Sequence, residues 1–206
     1  YTNLGVQLSP VQIEFFKNDL IARKQHEIDE FGADHLVKHK DYEIMRNLCR
    51  FGGEYLSLLE EPWLNDFVNS VLPANAILHG YFGHVTPPHV RHNPRVFQFH
   101  RDQAWFKDTR TSVLIFIPLV DFTATNGATE FVPGTHLFKK IPSPDFLEKH
   151  KKQLIAPAGT AFAIDGTVWH RGGHNTSIHS RPLLLLNFML PIFRQPINPF
   201  AETDVS

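Results

Sequence analysis

Cysteine is almost absent from this chain, and long apolar runs, internal repeats and any bias of charge are absent altogether. The one cysteine, Cys49, leaves no intramolecular disulfide to form and reads as a small buried apolar residue. A reducing, cytoplasmic home is expected from this. No stretch approaches the roughly 20 apolar residues that a bilayer-spanning helix needs, so no membrane role is expected. Basic residues number 20 and acidic residues 21, for a net charge of −1, with no long basic run. That balance excludes nucleic acid and anionic membrane surfaces as chief partners and points to a small-molecule substrate.

What is present is a chain of 206 residues, suited to one domain over residues 1–206 with a proper core. Its 18 phenylalanines suit aromatic packing in a β-rich core. Prolines gather after residue 86, at Pro87, Pro88, Pro94, Pro118, Pro133 and Pro142, which fits strands joined by turns.

Residues 1–75 read as a mostly helical scaffold without chemistry of its own. Ser9-Pro10-Val11-Gln12 is a capping box with a first-turn proline, followed by Ile13, Phe16, Leu20 and Ile21 at helical spacing. Residues 22–40 are too charged to assign. A second helix is expected over Tyr42 to Cys49, continuing toward Leu59, and a third from Pro62, with Leu64, Phe67, Val68 and Val71 on one face.

From residue 76 to residue 195 the pattern is that of strands. They are expected at 76–82, 95–100, 111–119, 129–132, 161–164, 167–170 and 181–190, with a short helix near Pro144-Asp145. Residues 111–119 are apolar on both faces and should form a central buried strand. Residues 83–94, with His84, His89 and His92, read as a loop at the mouth of a site. Several short strands separated by turns indicate a β-sandwich or barrel.

The chemistry gathers around Phe97-Gln98-Phe99-His100-Arg101-Asp102-Gln103. On an extended strand, His100 and Asp102 leave the same face. A distal histidine would complete two imidazoles and one carboxylate, the facial set that leaves half of an octahedral metal open. His170 is the first candidate, with His174 and His136 as competitors. Most of the 13 histidines read as ordinary core or surface residues. Arg181 opens a strongly apolar strand, and its fork matches a carboxylate bidentately. Gln98 shares the face of His100 on a regular strand. Tyr81, Trp105 and Phe106, together with Trp169, are candidates to line a pocket. Asn175-Thr176-Ser177 matches the glycosylation pattern and is discounted for want of any sign of secretion.

The H-x-D pair, the segment Asn126-Gly127 to Pro133-Gly134-Thr135-His136, the segment His170-Arg171-Gly172-Gly173-His174-Asn175-Thr176-Ser177, and Arg181 eleven residues past His170 occur in this order. Together they resemble the phytanoyl-CoA dioxygenase family of 2-oxoglutarate-dependent oxygenases. The resemblance implies a double-stranded β-helix, a cupin-like jelly roll that is mainly β with flanking helices. It implies His100, Asp102 and His170 as ligands of Fe(II), and Arg181 as the residue holding the distal carboxylate of 2-oxoglutarate, with Thr129 touching the same carboxylate. Gln98, on the face of His100, would contact co-substrate or substrate, and His174, where the family more often has a small residue or proline, would either support a ligand from behind or face the substrate. With O2 as the further co-substrate, the implied reaction hydroxylates a C–H bond and releases succinate and CO2. Asp102 stands where related halogenases lack a carboxylate, which favours hydroxylation or desaturation. The near-neutral charge favours an amino-acid-like or secondary-metabolite substrate over a large anionic one such as an acyl-CoA. Two other readings use the same residues: a catalytically inactive jelly-roll binding protein, and a metal-dependent hydrolase or isomerase, which would not need Arg181.

Overall fold

In the computed structural model, residues 1–89 and 96–193 are described. Two antiparallel sheets face one another in a jelly roll, with helices packed outside the larger sheet. Strand β1 is Thr2–Val6, β2 Ile44–Met45, β3 Ile77–Thr86, β4 Ser112–Pro118, β5 Glu130–Phe131, β6 Lys152–Gln153, β7 Thr160–Asp165, β8 His170–Arg171 and β9 Arg181–Met189. The major sheet runs β1-β7-β4-β9-β3-β2 and the minor sheet β6-β5-β8. The expected strand at 95–100 is not formed over its described residues. Only His100 pairs, in an isolated bridge to His170, and Arg95 lies outside the described residues.

The period-2 alternation of the major strands divides the apolar residues between two compartments. Tyr81, Val85, Val113, Ile115, Ile117, Leu184 and Leu186 face the helices. Their neighbours Phe82, Leu114, Phe116, Phe162, Ile164, Leu183 and Leu185 face the minor sheet. Every residue of β4 is buried, as expected of a central strand covered on both sides.

The helical layer departs from expectation in two places. Helix α1 spans Pro10–Phe31, entered through the expected box: Gln12 N–H donates to Ser9 Oγ at 3.3 Å and Ser9 N–H to Gln12 Oε1 at 2.9 Å. It runs well past Ile21, and α2 follows at Ala33–His39. The charges that obscured this stretch lie on an outer face, with pairs such as Arg23–Asp19 at 2.6 Å, while Phe16, Leu20 and Lys24 form a stripe one turn apart underneath.

Residues 42–49 are not a helix. They hold β2, which pairs with β3 through Ile44–His84 and Met45–Gly83, and enter a 3-10 turn at Leu48–Phe51 before α3 at Gly53–Leu59. A tertiary partner overrides the local preference. The Lys24 ammonium is buried and donates to the carbonyls of Asp41 (3.0 Å) and Ile44 (2.9 Å) and to Glu27 (2.7 Å), so it fastens this segment to α1. Helix α4 at Pro62–Val71 and α5 at Pro144–His150 fall where the first-turn prolines place them. No helix among the described residues is long and apolar enough to cross a membrane.

Lys24→Met removes the donor shared by Glu27 and the carbonyls of Asp41 and Ile44, leaving Glu27 to Arg50 and the Asp41 carbonyl to Ile44 N–H. It is expected to lower unfolding free energy by roughly 2–4 kcal/mol in urea titration, and the loss should appear as a displaced β2.

Candidate metal centre

The first two donors are set by backbone pairing. His100 and His170 form an antiparallel hydrogen-bonded pair, each N–H donating to the other's carbonyl at 3.0 Å. Residues opposite one another in such a pair present side chains to one face, and the imidazole centroids lie 4.5 Å apart. Asp102 is brought alongside by its own N–H, which donates to Gly166 O at 3.1 Å in the turn after β7. Arg101 points away and donates to carbonyls of the following loop, at Thr135 (2.8 Å), Lys139 and Phe138, with its guanidinium over Trp169. The turn over His100 to Asp102 is therefore held on both sides.

Nδ1 of His100 lies 2.8 Å from Gln98 O, and Nδ1 of His170 lies 2.9 Å from Val168 O. A carbonyl accepts, so each Nδ1 carries its proton and each Nε2 is left to the interior. Burial holds His170 below the usual histidine range, against the pull of the Asp102 carboxylate, so its neutral form is favoured. The two Nε2 atoms stand 3.5 and 3.8 Å from Asp102 Oδ1, wider than hydrogen bonds. The three donor atoms all lie within 4.8 Å of one another. Lone pairs converging at that distance repel unless a cation sits between them. Two imidazoles and a carboxylate suit a divalent first-row metal.

A cavity of about 190 Å³ opens beside this cluster, lined by Phe82, Phe116, Leu183 and Leu185 and also by Thr129 and Arg181. Arg181 is 2 % exposed and begins β9 opposite Thr86. One Nη donates to Thr86 Oγ1 at 2.8 Å, and the guanidinium stacks over Phe122 at 4.9 Å. Nε and the other Nη have no partner among the described residues, and no described carboxylate pairs with it. Burial pulls its pKa down to about 10, so it remains charged at neutral pH. A buried cation with two unpaired N–H groups in a cavity wall fits a bound carboxylate, since leaving such groups bare is costly.

The glycine-bearing motifs are explained by a close approach of two loops. Gly127 has φ +79°, and a Cβ on it would meet Gly173 O at 2.6 Å; one on Gly173 would meet Ala128 O at 2.4 Å. Asn126 and Asn175 bridge there. The buried Asn175 amide donates to Thr86 O and His179 O, and its oxygen accepts from Ser177. This lashes the turn leading to Arg181 onto the end of β3, and Asn175 is too enclosed to act as a glycosylation acceptor.

Several expected pocket residues lie elsewhere. Tyr81 is 1 % exposed on the helical side of β3, packed near Tyr55, because alternation turns Phe82 rather than Tyr81 to the cavity. Gln98 is exposed because its segment is not a regular strand, and it contributes its carbonyl to His100. Trp105 donates to His136 O at 2.9 Å and braces a loop outside the cavity. Phe106 is exposed against Phe193, and His174 is exposed on the turn after β8, whose chain direction carries it away from His170. Neither His174 nor His136 joins the donor cluster. Besides the apolar Phe82, Phe116, Leu183 and Leu185, the cavity is lined by residues that were not anticipated, Ile44, Arg46, His84 and Val96 among them. Ile44 and Arg46 come from the segment expected to be helical and without chemistry. His84 was placed in a loop, but β3 continues to Thr86, and the alternation Phe82, His84, Thr86 ahead of Pro87 is the signal that marks it. His92 of that loop lies outside the described residues.

The sequence pattern of the phytanoyl-CoA dioxygenase (PhyH) family matches residues 9–183, and the chain belongs to that family. Among its relatives, the uncharacterized protein Rv1501 of Mycobacterium tuberculosis is 31% identical over 185 residues, covering 87% of this chain and 68% of its own length. The dioxygenase cdmA of Talaromyces verruculosus is 30% identical over 109 residues, which is 48% of this chain but only 36% of that enzyme. Solved structures share the fold, EctD and HygX among them. EctD from S. alaskensis with bound Fe superposes with a TM-score of 0.73 at 16% identity, covering 98% of this chain and 78% of that one. HygX from Streptomyces hygroscopicus, with nickel and 2-oxoglutarate bound, gives 0.70 at 13% identity, covering 98% and 87%.

Because Arg181 has no anion to balance it, Arg181→Met is expected to leave the ligand-free protein within about 1 kcal/mol of the parent. Chemical denaturation measures this, and a loss of several kcal/mol would mark the arginine as structural.

Proposed function

We propose that this protein is an Fe(II)- and 2-oxoglutarate-dependent dioxygenase that hydroxylates an unactivated C–H bond of a small molecule, releasing succinate and CO2. The observation that carries this reading is the pairing, in one cavity, of a three-donor cluster with a buried arginine that has no counter-ion. A hydrolase needs only the cluster, and a binding protein that had lost turnover would not be expected to retain both.

In this reading His100, Asp102 and His170 are the metal ligands. Their Nδ1–carbonyl hydrogen bonds fix the tautomer and aim each Nε2 before the ion arrives. Arg181 takes the distal carboxylate of 2-oxoglutarate, and Thr129, 3 % exposed in the same wall, supports it. Iron supplies O2 activation coupled to decarboxylation of the 2-oxo acid. The protein orients both ligands and lines their site with apolar rings. Phe116 lies edge-on to His170 with ring centroids 6.1 Å apart, and Phe82, Leu183 and Leu185 keep water from the space between metal and arginine. That a relative such as cdmA is a dioxygenase by name supports the class.

An anaerobic titration with Fe(II) and then 2-oxoglutarate is expected to develop a visible charge-transfer band only when both are present. Asp102→Ala should weaken metal binding, by an order of magnitude or more, and Arg181→Met should spare the metal but weaken 2-oxoglutarate by at least tenfold. Metal bound without any band would instead favour the hydrolase or isomerase reading.

A further inference from the structure

One polar side chain in the cavity has no task in the reaction as proposed. His84 lies on β3 and lines the cavity with Phe82, while Thr86, two residues on, shares their strand face by alternation and accepts from Arg181. In register His84 stands between Ile44 of β2 and Leu183 of β9. Arg181, which pairs with Thr86, is its diagonal neighbour on β9, a separation that long side chains bridge. The charges acting on His84 are those of Arg181 first, then Lys24, Arg46 and His100, all basic. Enclosure and these cations pull its pKa down to about 3, so the ring is neutral and offers one N–H donor and one acceptor. No hydrogen bond of its ring to any described residue is present.

One wall of the cavity therefore carries the fully buried Nε and one Nη of Arg181, which have no partner among the described residues, and beside them the half-buried His84 imidazole. Buried polar groups are rarely left so unless a ligand completes them. Thr86 adds a third donor: its hydroxyl oxygen accepts from Arg181, which leaves its proton free for a ligand. We propose that His84 is a co-substrate-binding residue that donates a hydrogen bond to the carboxylate held by Arg181, so that Arg181, Thr86 and His84 form a cradle selecting a 2-oxo diacid over a 2-oxo monoacid. The proposal rests on the oxygenase reading and extends it by assigning the selection of the co-substrate's far end to β3.

The test is an anaerobic titration of Fe(II)-loaded protein, followed by the charge-transfer band, with 2-oxoglutarate and with 2-oxovalerate, which lacks the distal carboxylate. His84→Leu is expected to raise the dissociation constant for 2-oxoglutarate about tenfold, the loss of one hydrogen bond to a charged group. His84→Gln, which keeps a donor, should recover most of the affinity. Binding of 2-oxovalerate should be unchanged in both. Fe(II) affinity and the circular dichroism of each variant check the fold, and His84→Asn and His84→Phe replace the pair if the leucine variant does not fold. Equal 2-oxoglutarate affinity in parent and His84→Leu overturns the role of His84 and leaves the oxygenase reading standing. So does an equal loss for both 2-oxo acids, which would mean that His84 only shapes the cavity. A parent protein that binds Fe(II) but forms no band with 2-oxoglutarate overturns the oxygenase reading and this proposal together.

Discussion

Strands β4 and β9 pair in register along all of β4, from Ser112–Met189 to Pro118–Leu183, and β3 pairs along the other side of β9. Both faces of this three-strand centre must be kept from water, one by helices and the other by the minor sheet. The requirement explains why β4 and most of β9 read as continuous apolar runs. It also sets where chemistry can occur. A polar group on the inner face of these strands is enclosed by construction, so it must be paired within the protein or meet a ligand.

Among the polar groups of β3 and β9 that line the cavity, two nitrogens of Arg181 and the ring of His84 have no hydrogen-bond partner among the described residues. Their positions follow from strand alternation, and their lack of partners follows from the packing of Phe122, Leu183 and Leu185 around them. The metal-ligand candidates come from the other sheet and its flanking turn: His170 from β8 and His100 paired to it, with Asp102 tied to Gly166. The cavity is thus a space between two sheets, with converging lone pairs at one side and a bare guanidinium at the other. That polarity is what a small dianion with a chelating end would satisfy, and it gives the oxygenase reading its physical basis beyond family membership.

The legible parts of the site were those in which short-range pattern and function coincide. His100, Asp102, His170 and Arg181 stand in motifs whose glycines and asparagines have local reasons: Gly127 and Gly173 permit two backbones to touch, and Asn175 ties the turn before Arg181 to Thr86. Pocket-lining residues were much less legible. Tyr81 and Phe82 are adjacent and similar, and which of them faces inward depends on the register of β3 against β9. Gly83 suggested the end of a strand, yet it is there because Leu20 of α1 packs where a Cβ would stand, 2.2 Å from it. That contact, between residues far apart in the chain, hid both the full length of β3 and the place of His84.

By itself the sequence determined the capped start of α1, the buried central strands, the closely spaced His100 and Asp102, and the motif glycines and asparagines around them. These depend on propensity, alternation and short turns, which are properties of neighbouring residues. Only the tertiary structure decided that His170, and not His174 or His136, joins His100 and Asp102, that residues 42–49 hold an edge strand and cavity wall fastened by Lys24, that Trp105 and His174 stand outside the cavity, and that His84 shares a wall with an arginine that has no counter-ion among the described residues. Those outcomes rest on which distant groups share a buried space, and burial is a property of the assembled fold rather than of any segment of it.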